Sequence, residues 1–181
     1  MLRLKTLALI VSVCLLVWGT SLAGDKTGQE KASDQQQVKP ASIHWMRYDE
    51  GLAKAKKEGK HIFANFTTAW CGYCKKMNAT TFVDPEIVRM MNDNFIAVKI
   101  DGDSRDTLNI DGYKITERNL TRSEYRVSGY PTYWFLESDG TKLGALRGYQ
   151  GKDQLGKALK MVAERQYEKP AQKKAASKGD K

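Results

Sequence analysis

Two cysteines with two residues between them, Cys71 and Cys74, stand after an apolar run, Ile62-Phe63-Ala64-Asn65-Phe66, and before a stretch with helical character, Lys75-Lys76-Met77. That spacing at a strand-to-helix junction is the arrangement expected of a dithiol redox site. If Cys71 sits at the helix N-terminus, unpaired backbone N–H groups and the helix dipole favour its thiolate. Thiolate, not thiol, attacks a disulfide sulfur, so Cys71 is the candidate nucleophile. Cys74, one helical turn later, is placed to attack a mixed disulfide formed at Cys71. Zinc is the rival use of this spacing, but no second cysteine pair follows, and His44 and His61 are the only histidines. No metal is therefore assigned, and both histidines read as ordinary surface or strand residues. A merely buried pair is the remaining alternative.

The surrounding elements must hold that pair. Ile43 to Met46 reads as a short edge strand. Tyr48 to Glu58 reads as a helix stopped by Gly59, with Leu52 and Ala55 on one face. Lys60 to Phe66 is the central strand, apolar almost throughout, which requires cover on both faces. Asp84-Pro85 is a helix start, a capping side chain followed by a proline in the first turn. Ile87, Val88, Met90 and Met91 give that helix its apolar side, and Met77 is expected to point inward. Phe95 to Ile100 is the next strand. Between Gly102 and Asn119 the pattern weakens to turn signals and a small hairpin, then Leu120 to Val127 reads as a short helix. Thr132 to Leu136 and Thr141 to Arg147 pair through the Ser138-Asp139-Gly140 turn. Lys152 to Tyr167 is the final helix. The order implies a mixed sheet with helices on both faces.

The chain has 181 residues, 41% of them hydrophobic, enough for one modest domain. Its 30 Lys+Arg against 21 Asp+Glu give +9, but no nucleic-acid recognition module accompanies the charge, so no nucleic acid is assigned as partner. The basic surface implies solubility and some attraction to acidic proteins or anionic membranes. Arg3 and Lys5, the apolar Leu7 to Trp18 and the small residues of Ser21-Leu22-Ala23 form the pattern of an export signal. The apolar span is short for crossing a bilayer, so cleavage after Ala23 is expected, with an uncleaved N-terminal anchor as the alternative. Cys14 would leave with the signal, and Cys71 and Cys74 would be the only pair in an oxidising compartment. The expected organisation is a signal over 1–23, a flexible leader over 24–42, a domain over 43–167 and a basic, disordered tail over 168–181.

Trp70-Cys71-Gly72-Tyr73-Cys74-Lys75 resembles the thioredoxin active site, and Val127-Ser128-Gly129-Tyr130-Pro131-Thr132 resembles the cis-proline loop of the same family. Both motifs occur in the family's order, and the resemblance covers residues 43–167. It implies a thioredoxin fold with a segment inserted before the cis-proline loop, and an exported bacterial thiol:disulfide oxidoreductase. It also implies roles. Trp70 presents a flat apolar rim beside the sulfurs, with a packed aromatic as the plainer reading. Gly72 and Tyr73 shape the turn, and Tyr73 is a candidate substrate contact. Pro131 faces the sulfurs without an N–H, and Tyr130 offers backbone groups to an extended substrate. Three positions depart from the pattern. Asn65 stands where the family holds a buried acid. It is read as a hydrogen-bonded core residue, or as support for proton transfer through water. Tyr73 replaces the proline of the tetrad. Gly102 to Asn119 lengthens the chain before the cis-proline loop, and either bounds the substrate groove or is harmless surface. Lys75 or Lys76 is a weak candidate for lowering thiol pKa values.

The expected activity is reduction of disulfides in exported partner proteins by a Cys71–Cys74 cycle. No nicotinamide or flavin motif is present, so no cofactor is assigned and electrons are expected from a membrane-bound donor. Localisation is expected in the periplasm. An oxidase or an isomerase is the enzymatic alternative. The tetrad also resembles that of periplasmic disulfide isomerases, but no separate dimerisation domain is evident and a monomer is expected. A peptide-binding module lined by Trp70, Tyr73 and Tyr130, with an incidental dithiol, is the alternative of another class.

Overall fold

The computed structural model describes residues 42–168. The export signal over 1–23, the leader up to residue 41 and the tail from residue 169 lie outside the described residues. Chain order is β1 (Trp45–Met46), α1 (Tyr48–Glu58), β2 (His61–Thr67), α2 (Gly72–Ala79), α3 (Pro85–Asn94), β3 (Phe95–Asp101), β4 (Thr107–Ile110), β5 (Tyr113–Thr116), α4 (Glu117–Asn119), β6 (Thr132–Leu136), β7 (Lys142–Arg147) and α5 (Lys152–Ala163). Five strands form one sheet in the order β1-β3-β2-β6-β7, and β4 pairs with β5 in a separate hairpin. Strands β1, β3 and β2 run parallel, whereas β6 is antiparallel to β2 and β7 to β6. This is the thioredoxin fold that the resemblance implies.

Central strand β2 is buried at all seven positions. Its alternate side chains feed two cores, because successive strand residues point to opposite faces. Phe63 joins Met77 of α2, Ile87 and Met91 of α3, and Leu155 and Leu159 of α5. Ile62, Ala64 and Phe66 join Leu52 and Ala55 of α1, and Leu108 and Ile115 of the β4–β5 hairpin. Phe63 is the aromatic hub, stacked on Tyr133 at 5.4 Å and edge-on to Phe135 at 5.4 Å. Each such pair contributes about 0.5–1.5 kcal/mol beyond area burial. Met77 and Met91 are fully buried, and Met90 packs partly buried beside them.

Local signals fix the element ends. Asp84 Oδ1 accepts hydrogen bonds from the Glu86 and Ile87 backbone N–H groups, with Pro85 following in the first turn of α3. Gly59 ends α1 in the left-handed region, at φ 66°, which glycine adopts without steric cost. Two helices differ from expectation. The helix expected over Leu120 to Val127 begins earlier, at Glu117, and widens into a π-helical turn over Leu120–Glu124. There Tyr125 N–H donates to Leu120 C=O, and Thr121 Oγ1 caps Glu117 C=O at 2.8 Å. Helix α5 stops at Ala163 rather than Tyr167, because Arg165 takes φ 49° and turns the chain back. Tyr167 thereby reaches His61 Nε2 at 2.8 Å and Glu137 Oε1 at 2.7 Å.

Candidate active site

Strands β2 and β3 both end, and antiparallel β6 begins, at one edge of the sheet: Phe66 pairs with Ile100 on one side and Thr132 on the other. Chain segments leaving that edge therefore converge. Cys71 is the N-cap of α2, with Cys71 N–H donating to Thr68 C=O at 3.3 Å and Lys75 N–H to Cys71 C=O at 3.1 Å. Its Sγ accepts from Cys74 N–H at 3.0 Å. The first turn of α2 holds no acidic residue, so its N–H groups and dipole act on Cys71 unopposed. Cys71 and Cys74 form a disulfide and are both buried, whereas the neighbouring Trp70 and Tyr73 are 67% and 61% exposed. Gly72 begins α2 with open space where a Cβ would stand.

Pro131 precedes β6 through a cis Tyr130–Pro131 bond, and its carbonyl accepts from Gly148 N–H at 2.8 Å. Tyr130 meets Trp70 edge to face, ring centroids 5.7 Å apart. A third loop completes the rim. Asp103 Oδ2 accepts from Trp70 Nε1 at 2.7 Å, and Gly102 lies so close to Tyr130 that a Cβ there would stand 1.9 Å from the phenol oxygen. Burial, followed by the nearby Asp103 carboxylate, raises the Tyr130 phenol pKa. That phenol therefore stays protonated at neutral pH.

Asn65 is buried on the α2-facing side of β2, flanked by Lys99 of β3 and Tyr133 of β6. Among the described residues its Oδ1 has no hydrogen-bond partner. An amide also cannot exchange a proton as a carboxylate does. The Thr68 hydroxyl is likewise buried without a partner. Thr68, Cys74, Lys75, Lys99 and Glu117 line a cavity of about 380 Å³. Lys76 turns elsewhere, its ammonium 4.4 Å above the Tyr149 ring, whereas Lys75 lines that cavity with Cys74.

Sequence reasoning placed the cysteines, Trp70, Gly72, Tyr73, Tyr130 and Pro131 in one region, and the fold brings their segments to one edge. It assigned no site role to Thr68, and held Gly102, Asp103 and Glu117 only as members of the inserted Gly102–Asn119 segment. A signal existed for two of them: Gly102 and Asp103 directly follow an apolar strand that must end beside the strand leading to the cysteines. Glu117 had none, because nothing local reveals that the inserted segment folds back on β3.

Comparison with known proteins agrees with this geometry. The chain is 30% identical over 125 residues to the thiol:disulfide interchange protein DsbD of Campylobacter jejuni, covering 66% of this chain and 20% of that protein. It is 27% identical over 127 residues to thioredoxin H9 of Arabidopsis thaliana, covering 68% and 74% respectively. The solution structure of a thioredoxin from Thermus thermophilus superposes with a TM-score of 0.56 at 29% identity, over 67% of this chain and 87% of that one. The chain spans a fifth or less of the length of several curated relatives, DsbD among them. The thioredoxin-like domain family matches residues 48–163, from the start of α1 to the end of α5. Containing both cysteines and the cis-proline loop within that span, the chain belongs to the thioredoxin-like domain family.

Proposed function

We propose that this protein is an exported thiol:disulfide oxidoreductase that reduces disulfides in partner proteins. The observation that carries the reading is the Cys71–Cys74 disulfide, closed at the N-terminus of α2. The dithiol form is its two-electron reduced state. In that form the Cys71 thiolate attacks one sulfur of a partner disulfide. A Cys71–partner bond forms, and the other partner sulfur leaves as a thiolate. Cys74 then attacks Cys71, the mixed disulfide breaks, and the partner departs with both electrons. Helix N-terminal placement favours this chemistry because it stabilises Cys71 both as nucleophile and as leaving thiolate.

Trp70, Tyr73 and Tyr130 form the docking rim around this pair. Tyr130, just outside the ladder that begins at Thr132, offers backbone groups to an extended segment of the partner. Pro131, beside it, contributes no N–H. The apolar Leu7 to Trp18 stretch behind Arg3 and Lys5 supports export to the periplasm. There a membrane-bound donor would restore the dithiol, and the Campylobacter relative's name, thiol:disulfide interchange protein, belongs to the same chemistry.

Insulin-disulfide reduction by the full chain, with dithiothreitol as electron source, tests the reading. Wild type accelerates the reaction and Cys71→Ser does not. Equal rates for the two proteins would refute it. The reduction potential of the pair sets direction: a reducing value, near that of thioredoxin at about −270 mV, marks a reductase, and one near about −120 mV marks an oxidase.

A further inference from the structure

Resolution of the mixed disulfide requires Cys74 to lose a proton, and the residue six places before Cys71 is an amide that cannot accept it. The cavity beside Cys74 holds another acceptor. Glu117 lines it with Cys74 and is itself buried, 8% exposed. Its position is built rather than incidental. Glu117 N–H donates to Asp106 C=O at 3.0 Å, Arg118 N–H donates to Ser104 C=O at 3.0 Å, and Glu117 Oε2 accepts from Asp101 N–H at 3.1 Å. These bonds fold the inserted segment back onto the end of β3. Thr68 lines the same cavity, and its buried hydroxyl has no hydrogen-bond partner among the described residues.

We propose that Glu117 accepts the Cys74 proton during mixed-disulfide resolution, through water in the cavity the two residues share. The inference rests on the dithiol cycle proposed above. The proton passes from Cys74 Sγ to the Glu117 carboxylate. The resulting Cys74 thiolate forms the S–S bond to Cys71, and the partner sulfur leaves as a thiolate with the electron pair of the broken bond. Glu117 then returns the proton to solvent. A cavity of about 380 Å³ is large enough for several waters, each of which occupies about 30 Å³ in the liquid. Burial raises the Glu117 pKa, opposed by the hydrogen bonds from Asp101 N–H and Ser104 and by the Arg47 charge, with Asp106 raising it further. Lys75, Lys99 and Asp101 are the other charged groups on the cavity wall. A raised carboxyl pKa brings the acceptor closer to that of a thiol, which lowers the cost of the transfer.

A coloured aryl disulfide tests this in the reduced full chain. Its first thiolate released reports attack by Cys71, and the second reports resolution by Cys74. In Glu117→Gln, which retains an acceptor for Asp101 N–H, the first release is unchanged. The second slows by on the order of a hundredfold or more near neutral pH, as expected for loss of a positioned base. Its rate then rises in proportion to hydroxide, following direct thiol ionisation, whereas wild type levels off above the carboxyl pKa. Glu117→Asp restores the levelling. Should Glu117→Gln fail to fold, a carbon-13 titration of wild type gives the same answer: the Glu117 carboxyl pKa differs between disulfide and dithiol forms. A second release in Glu117→Gln with the wild-type rate and pH profile overturns the assignment of Glu117 alone, as does an identical carboxyl titration in both redox forms. Wild type releasing neither thiolate overturns the dithiol cycle itself.

Discussion

Trp70 and Tyr130 meet edge to face at 82°, one just before the dithiol helix and the other just before the proline loop. Neither is adjacent to the other in the sheet's connectivity. They meet because β2 leaves, and β6 enters, the same edge of the sheet. Asp103, leaving β3 at that edge, holds the indole from a third direction. The exposed aromatic rim around Cys71 is thus fixed by three separate loops.

Removing that hold should weaken docking. Asp103→Ala should lower kcat/KM toward a protein disulfide about fivefold, the equivalent of about 1 kcal/mol for one hydrogen bond. Asp103→Asn, which keeps an oxygen acceptor, should lose less. Steady-state kinetics on insulin checks both, and an unchanged Asp103→Ala would show that the indole needs no support.

Gly102→Ala places a Cβ 1.9 Å from the Tyr130 phenol oxygen and 2.5 Å from Cζ, so the ring must move. Overpacking of this kind costs about 1–3 kcal/mol, and the half-buried ring should place this case at the lower end. Denaturation of Gly102→Ala, Tyr130→Ala and the double variant should show non-additivity, because the clash vanishes once the ring is gone. Strict additivity would place the cost elsewhere.

The two cysteines should differ in what they trap. Cys74→Ser should accumulate a mixed disulfide between Cys71 and its partners, seen as a higher-mass band that dithiothreitol removes. Cys71→Ser should trap at least about tenfold less, since the remaining sulfur lies inside α2 rather than at its N-cap, where the helix terminus favours a thiolate. Equal trapping by both would reverse or erase the assigned roles.

Stability should fall with acidification through the histidine range. Burial lowers the His61 pKa below the 6.5 of a free histidine, outweighing the Glu137 and Glu168 carboxylates that raise it, and Arg165 lowers it further. The unfolded chain therefore binds more protons at this site below pH 6.5, so stability is lost as pH drops through that value. Urea midpoints at about pH 7.5 and about pH 5.5, on either side of a free histidine's pKa, should differ more for wild type than for His61→Gln. The same difference in both would exclude His61 as the cause.

Periodicity reveals the order of the elements nearly in full, since β2, β3 and β6 are short apolar runs bounded by turn residues, and Asp84-Pro85 and Gly59 mark helix ends by their own chemistry. The dithiol and the proline loop are legible because their residue types and spacing are local. What stayed hidden depends on distant contacts. Tyr167 leaves α5 to reach His61, which no helical pattern records. Glu117 falls in the weakly patterned Gly102–Asn119 segment, and its hydrogen bonds with Asp101 and Asp106, together with the Ser104–Arg118 pair, carry it to the cavity beside Cys74. The unpartnered Oδ1 of Asn65 is equally invisible, because hydrogen-bond satisfaction is a property of neighbours rather than of sequence.

The central claim is that one reduced molecule passes two electrons from Cys71 and Cys74 to a protein disulfide. Mixing the reduced full chain with excess insulin, quenching in acid and mapping the alkylated cysteines measures this directly. The account predicts that each insulin disulfide opened is matched by one newly closed Cys71–Cys74 bond. Intact insulin disulfides beside a Cys71 and Cys74 still free to alkylate would contradict it.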